Sequence, residues 1–348
     1  MIVKMADELR DTVRQVLLAG GADQVNADCV ADHLVLANLS GVDTHGVWHV
    51  ANYVADMKKG QIAATASPAI VKQTANSALV KGNWAFGHLA ARTAMQTAID
   101  KCGSGDIAVV GLVQANHIGR LGHYVEMAVA ADKIALVWGG GYGRDTPRTV
   151  PFGGRQPVLD TNPVAIGVPT GDDGPMMLDF ATTTMSGVKV RNARKYNQQL
   201  PPGCVVDKHG KATTDPHRFF DGGAFVPFGG HKGYALMMAA EYLGGMLCGS
   251  DDFVETDQGV PLFRHQGVTM IVFKADMFQP LDAFVRQADE MGRRVRAIAP
   301  AEGFEQVLVP GDPEVQTRAI RRRQGIPLPD DVWQSVKEAG ASVGVRVE

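Results

Sequence analysis

His45 and His49 stand four residues apart in GVDTHGVWHV, residues 41–50, a spacing that puts two imidazoles on one side of a helix. Two histidines so placed can begin a metal site. The glutamate of an HExxH site is missing, however, since Gly46 and Val47 follow His45, and no third ligand motif is evident, so no metal is expected. Proton transfer suits His45 better. Histidine titrates near neutrality, Thr44 before it is short and polar, and Gly46 after it leaves backbone space for a substrate. The same residues also read as a plain helix start with Asp43 or Thr44 as N-cap, and this stretch alone favours that reading.

Three further stretches carry polar groups in apolar surroundings. Asp179 ends the strand-like MMLDF, where a carboxylate can orient a histidine or pair with a ligand, or equally cap the next helix. Asn116 and His117 follow the strand AVVGLV, the end of an open sheet where ligands gather, although a turn-forming asparagine explains them as well. FGGHKGYALMM, residues 228–238, sets glycines, a lysine and a helix start in the order that suits an anion, and Lys232 can pair with a phosphate. Gly229, Gly230 and Gly233 can equally serve a tight turn.

These groups need a frame. Residues 5–40 read as two amphipathic helices, and 42–59 continues helically through Val47, Val50, Val54 and Met57. From about residue 67 the chain alternates short β-rich runs and helices: SPAIVKQTANSALVKG, a helix over 88–101, a strand over 107–112, a helix over 124–131, then IALVWGG, VAIGVP and MMLDFAT. Residues 197–231 read as loop, 234–249 as one apolar helix, VTMIVFKAD as a buried strand, and 281–297 and 332–339 as helices. A dinucleotide fingerprint is absent. GSGDIA, residues 103–108, has the order helix, glycines, strand, the reverse of what a pyrophosphate site needs, and no Walker A sequence occurs.

At 348 residues, 45% hydrophobic and 20% charged, with net charge −3, the chain reads as a globular protein with no basic block for nucleic acid. Cys29, Cys102, Cys204 and Cys248 are scattered, with no CxxC, which fits a reducing cytoplasm and no disulfide framework. No apolar run approaches a membrane span, and the N-terminus lacks a signal core.

Taken in order, DTHGVWHVANYV, ANHIGRLGHYVEMA, LDTNPVAIGVPT, MLDFATTTMSGVKV, FGGHKGYALMMAAEYLGGMLCG and VPGDPE with the arginine-rich helix after it resemble the malate/L-lactate dehydrogenase family, over nearly the whole chain. The resemblance implies an NAD- or NADP-dependent oxidoreductase moving hydride between nicotinamide and C2 of a small 2-oxo or 2-hydroxy acid. Alternatives are reduction of a cyclic imine 2-carboxylate of the piperideine or pyrroline type, or a catalytically silent nucleotide or metabolite sensor. It implies a non-Rossmann α/β fold and a cytoplasmic homodimer: an N-terminal helical portion, 1–66, with the catalytic histidine; a central α/β domain, 67–279; and a C-terminal helical portion, 280–348, packing with the first.

The resemblance also implies roles. His45 is the proton donor, Thr44 stands where a serine usually precedes it, and Asp179 supports the histidine or belongs to the cofactor pocket with Ala181 and Thr182. Asn116 and His117 lie near nicotinamide and substrate, and Thr161 near the substrate. His231, Lys232 and Gly233 form a cofactor-binding turn, and Pro310, Gly311 and Asp312 a C-terminal cofactor contact. His49 departs from the pattern, because an arginine suited to the substrate carboxylate is common there. Arg120 or Arg144 then takes over the anchor, or the substrate differs. The choice between NAD and NADP turns on where Arg191, Arg194 and Lys195 lie.

Overall fold

The computed structural model describes residues 1–171, 174–255, 261 and 263–348. Its centre is a seven-stranded mixed sheet in the spatial order Ala69–Gln73, Ser77–Lys81, Ile107–Val113, Gly267–Lys274, Lys133–Gly140, Val164–Val168, Met176–Phe180. Only Ser77–Lys81 and Ile107–Val113 run parallel; every other pair is antiparallel. The late strand Gly267–Lys274 enters the middle of the sheet, and its run of apolar residues follows from burial on both faces there. Among the described residues there is no doubly wound parallel sheet, the frame on which a dinucleotide fingerprint sits. The fold is the α/β, non-Rossmann arrangement expected.

The helices Gly87–Ser104 and Gly122–Val129 cover one face, burying Ala90, Ala94, Met95, Tyr124 and Val125 against Val110, Leu112, Val137 and Met270. A second core gathers Leu9, Val13, Leu17, Val30, Leu34 and Val50 with Ile326, Leu328, Trp333 and Val336, so the two ends of the chain share one apolar interior. Ile2–Lys4 pairs antiparallel with Ile326–Leu328. No helix among the described residues is long and apolar enough to cross a membrane.

Local structure departs from the sequence expectation in three places. Residues 42–59 are not one helix: two 3-10 turns, Asp43–His45 and Val47–His49, precede the α-helix Val50–Lys58. Gly46 is extended between them, with φ −91° and ψ −158°, and the Val47 amide donates to Asn38 Oδ1 at 2.9 Å. The helix expected over 234–249 runs instead from His231 to Glu241 and passes into a π turn, Tyr242–Met246. That turn lies on the sheet through glycines: a Cβ on Gly244 would sit 2.3 Å from the Gly140 amide nitrogen, and one on Gly140 2.5 Å from the Ala240 carbonyl. Finally, the loop-rich 197–231 holds a small sheet of three two-residue strands, Val205–Val206, Ala212–Thr213 and Ala224–Phe225, too short to show a period.

Candidate active site

The stretch that opened the sequence is held from two sides. Asn38, buried near the end of the helix Gln24–Leu39, donates through Nδ2 to Asp43 Oδ1 at 2.6 Å and accepts from Val47 at Oδ1, so one side chain spans both 3-10 turns. Arg321, from the C-terminal helix Asp312–Gln324, grips the Asp43 carboxylate with Nη1 at 2.7 Å and Nη2 at 3.1 Å. Gly46 is required for space: a Cβ there would lie 2.2 Å from Asn38 Oδ1.

Between these supports the rings of His45 and His49 stack, with centroids 6.3 Å apart and planes 22° apart, although no α-helix carries them. His117 arrives from the end of the strand Ile107–Val113. Its ring centroid is 5.6 Å from His45 and 4.7 Å from His49. Asn116 beside it turns inward, donating to the Trp84 and Ala85 carbonyls at 2.8 and 3.1 Å, so its side chain fixes the loop.

Each imidazole is kept neutral. Burial, then the charge of Arg120, brings His45 down to about 4; burial and the neighbouring His45 and His88 bring His49 down to about 3. Burial, then His49 and His45, pushes His117 well below the usual range. His45 Nδ1 is buried without a hydrogen-bond partner. His49 Nε2 lies 3.2 Å from the Thr44 carbonyl, which also accepts from Trp48 Nε1 at 2.7 Å. Among the described residues, Thr44 acts on this site through its carbonyl and makes no hydroxyl bond to the His45 ring.

Arg120 is the buried cation of the site, at 1% exposure. Nη2 donates to Glu126 Oε1 at 3.1 Å, while Nε and Nη1 are buried with no hydrogen-bond partner. Burial raises the Glu126 carboxyl, but Arg120 and Arg318 outweigh it and hold the group below its ordinary value. Asp179 lies on the other side of Arg120, 3.9 Å from Nε, and accepts from the Gly122 amide at 2.7 Å. No hydrogen bond joins Asp179 to His45 among the described residues. Burial, only partly offset by Arg120, pushes Asp179 up to about 6. Arg144, the other candidate anchor, is exposed and ion-paired with Asp251.

A second group of candidates meets beside this centre. Thr182 donates from its amide and its hydroxyl to the Thr161 carbonyl, at 2.8 and 3.0 Å, and accepts from the Phe228 amide at 3.0 Å. The stretch Ala181–Thr182, the Thr161 loop and the glycine turn before His231 therefore run side by side. His231 and Lys232 are exposed at the start of the helix, whereas Gly233 is buried, and a Cβ on it would lie 1.8 Å from the Phe228 carbonyl oxygen. Pro310, Gly311 and Asp312 sit at the beginning of the Met176–Phe180 strand, where the Met177 amide donates to the Pro310 carbonyl at 3.0 Å. The Asp312 carboxylate is engaged by Arg296, at 2.8 and 2.7 Å, and by the Val309 amide. Of the three basic residues weighed for the choice between NAD and NADP, Arg191 lies over Trp48, Arg194 over Phe220, and Lys195 pairs with Asp331.

Asn38, Glu126, Arg321 and Tyr53 escaped the sequence reading. Tyr53 places its hydroxyl 2.8 Å from His117 Nδ1 and its ring 5.4 Å from that of His49. The signal was present: His45, His49 and Tyr53 follow at steps of four.

A buried arginine with unpaired N–H groups beside neutral imidazoles suits a small carboxylate undergoing proton transfer, and the comparisons point the same way. The sequence pattern described as malate/L-lactate dehydrogenase matches residues 5–337. The chain belongs to the malate/L-lactate dehydrogenase family. It is 34% identical to the hydroxycarboxylate dehydrogenase B of Escherichia coli K12, over 99% of this chain and 95% of that one. It is 32% identical to the L-sulfolactate dehydrogenase of Methanothermobacter thermautotrophicus, over 97% and 96%. The solved Δ1-piperideine-2-carboxylate reductase of Pseudomonas syringae superposes with a TM-score of 0.83 at 26% identity, covering 97% of this chain and all of that one. The protein is thus an NAD- or NADP-dependent oxidoreductase that moves hydride between nicotinamide and C2 of a small 2-oxo or 2-hydroxy acid.

Proposed function

We propose that Arg120 anchors the substrate carboxylate and His45 transfers the proton at the C2 oxygen. The observation that carries this reading is the buried Arg120 guanidinium, which has Nε and Nη1 without hydrogen-bond partners and whose charge is felt by His45. Unsatisfied N–H groups on a buried cation are costly, and a carboxylate satisfies them with charge-assisted hydrogen bonds. Nicotinamide, when bound, supplies or takes up the hydride at C2. The chain does the rest. In oxidation, neutral His45 accepts the hydroxyl proton. In reduction, the carboxylate offsets Arg120, so His45 holds a proton more readily and gives it to the developing oxyanion.

Asp179 keeps Arg120 in place from one side and Glu126 from the other. Thr161, Ala181, Thr182, His231, Lys232 and Gly233 form the cofactor side, with Lys232 exposed at the start of an eleven-residue helix, where its charge and the helix dipole both favour a phosphate. Pro310 and Gly311 support that side by bracing the Met176–Phe180 strand, and Asp312 by holding Arg296. The protein works as a homodimer, a reading supported by Tyr242, Met246 and Leu247, which leave an apolar stretch exposed. A reducing cytoplasm suits its four free thiols.

His49 favours a second reading. An imidazole where the family often has arginine leaves one cation fewer for the substrate, which suits a cyclic imine carboxylate held by Arg120 alone. Following nicotinamide absorbance with NADH and with NADPH against a panel of 2-oxo acids and cyclic imine carboxylates tests both. Turnover of 2-oxo acids supports the first reading, and turnover of imines alone the second. Cofactor binding without turnover on any member overturns both in favour of a sensor.

A further inference from the structure

We propose that His45, His49 and His117 together bind one divalent cation of the zinc class. Each ring offers a nitrogen, and the three nitrogens lie within 4.8 Å of one another. A tetrahedral zinc with nitrogen bonds of about 2.0–2.1 Å holds its ligands roughly 3.4 Å apart, so each nitrogen needs to move by less than about 1 Å. Three histidines with a fourth position left for water or substrate are a recurrent zinc environment. The third ligand that the sequence pattern lacked comes from His117, 68 positions after His49, brought over by the end of a central strand.

The surroundings prepare these rings for a cation in a second way. A ligating histidine normally engages its other nitrogen with a carbonyl or hydroxyl, which fixes its tautomer and orientation. His49 Nε2 faces the Thr44 carbonyl and His117 Nδ1 faces the Tyr53 hydroxyl, leaving His49 Nδ1 and His117 Nε2 available. His45 Nδ1 is buried and without a partner.

Coordination uses His45, so the ion and proton transfer exclude each other, and zinc acts as an inhibitor set by its free concentration. This last consequence rests on His45 being the proton-transfer group; the binding does not.

The test is a cobalt(II) titration of the full-length protein, free of cofactor and substrate, followed by visible absorption. The expected result is one equivalent with the intense bands of a four-coordinate ion, displaced by zinc. His49→Asn and His117→Asn should each weaken binding at least tenfold, Tyr53→Phe by roughly 10- to 100-fold, and the exposed His217→Asn should leave it unchanged. X-ray absorption of the unsubstituted zinc-loaded protein should show imidazole nitrogens at about 2.0–2.1 Å, which keeps the test independent of how the variants fold. A six-coordinate spectrum, no saturable binding, or equal affinity in His49→Asn overturns the site. Full occupancy with undiminished turnover leaves the site standing and overturns the assignment of His45.

Discussion

Arg120 gives Glu126 only its Nη2, at 3.1 Å, and keeps two further guanidinium nitrogens buried without a hydrogen bond, Nε facing Asp179 at 3.9 Å. Arg120→Lys keeps the charge but loses the fork of N–H donors. The expected outcome is a KM for the carboxylate substrate raised roughly 10- to 100-fold, the worth of one charge-assisted hydrogen bond, with cofactor affinity retained. Steady-state kinetics and a fluorescence titration with reduced cofactor check it. An unchanged KM removes Arg120 from the substrate site.

His45→Ala should lower kcat by roughly two to four powers of ten, the usual contribution of one general acid or base. The pH profiles follow from its depressed value of about 4. Oxidation needs the neutral ring, so its kcat/KM should stay flat from neutrality down to acid unfolding. Reduction needs the proton, so its kcat/KM should rise about tenfold per unit as pH falls through the same range. Profiles measured with a chelator present check both; an inflection near the ordinary histidine value in the oxidation profile contradicts the buried, neutral His45.

Acid should unfold this protein early. His33, His45, His49, His88, His117 and His123 all have folded values below 6.5, through burial first. Above 6.5 both states are neutral and the histidines impose no slope. Below it the unfolded chain binds protons that the folded one refuses, and each histidine removes up to about 1.4 kcal/mol per pH unit. Asp160 and Asp179, raised to about 6, act with the opposite sign. The histidines prevail by number, so thermal unfolding should show a Tm that drops steeply within roughly two units below pH 6.5. A Tm constant down to pH 5 contradicts the packing of this cluster.

Gly46→Ala changes no strained dihedral, yet its methyl meets Asn38. The bonds from Asn38 to Asp43 and Val47 should break, and kcat should fall by at least about tenfold, a 1.4 kcal/mol displacement of the proton-transfer geometry. Asn38→Ala, which makes room, should restore little, because the same two bonds are lost. Near-wild-type turnover in Gly46→Ala removes Asn38 as the positioning residue.

Lys232→Ala should raise the dissociation constant for reduced cofactor with kcat nearly intact. Equal binding by fluorescence titration removes Lys232 from the phosphate side.

Much of this was legible from residue order. The long buried strands and the pairing of His45 with His49 declare themselves by spacing. Partners across the fold do not. Whether Arg120 or Arg144 is the interior cation depends on which lies beneath the Met176–Phe180 strand, and burial separates them where composition cannot. Asp179 could be read in several ways, and only the fold shows that the Gly122 amide and Arg120 both meet its Oδ2. His117 joins His45 only because a central strand ends there, and Tyr53, which lies in a stretch read only for its valines and Met57, extends the line of polar rings. The pairing of Ile2–Lys4 with Ile326–Leu328 was invisible for a different reason: three-residue strands, one containing Pro327, carry no period.

The grip of Arg321 on Asp43 sets a timetable for synthesis. The turn bearing His45 is made well before the guanidinium that braces it, 278 positions later, the strand that pairs with Ile2–Lys4 and the helix that completes their shared core. A growing chain can assemble its sheet only after Gly267–Lys274 emerges, and its proton-transfer turn only after that. Until Arg321 has been synthesised, the Asp43 carboxylate lacks the guanidinium that braces its turn.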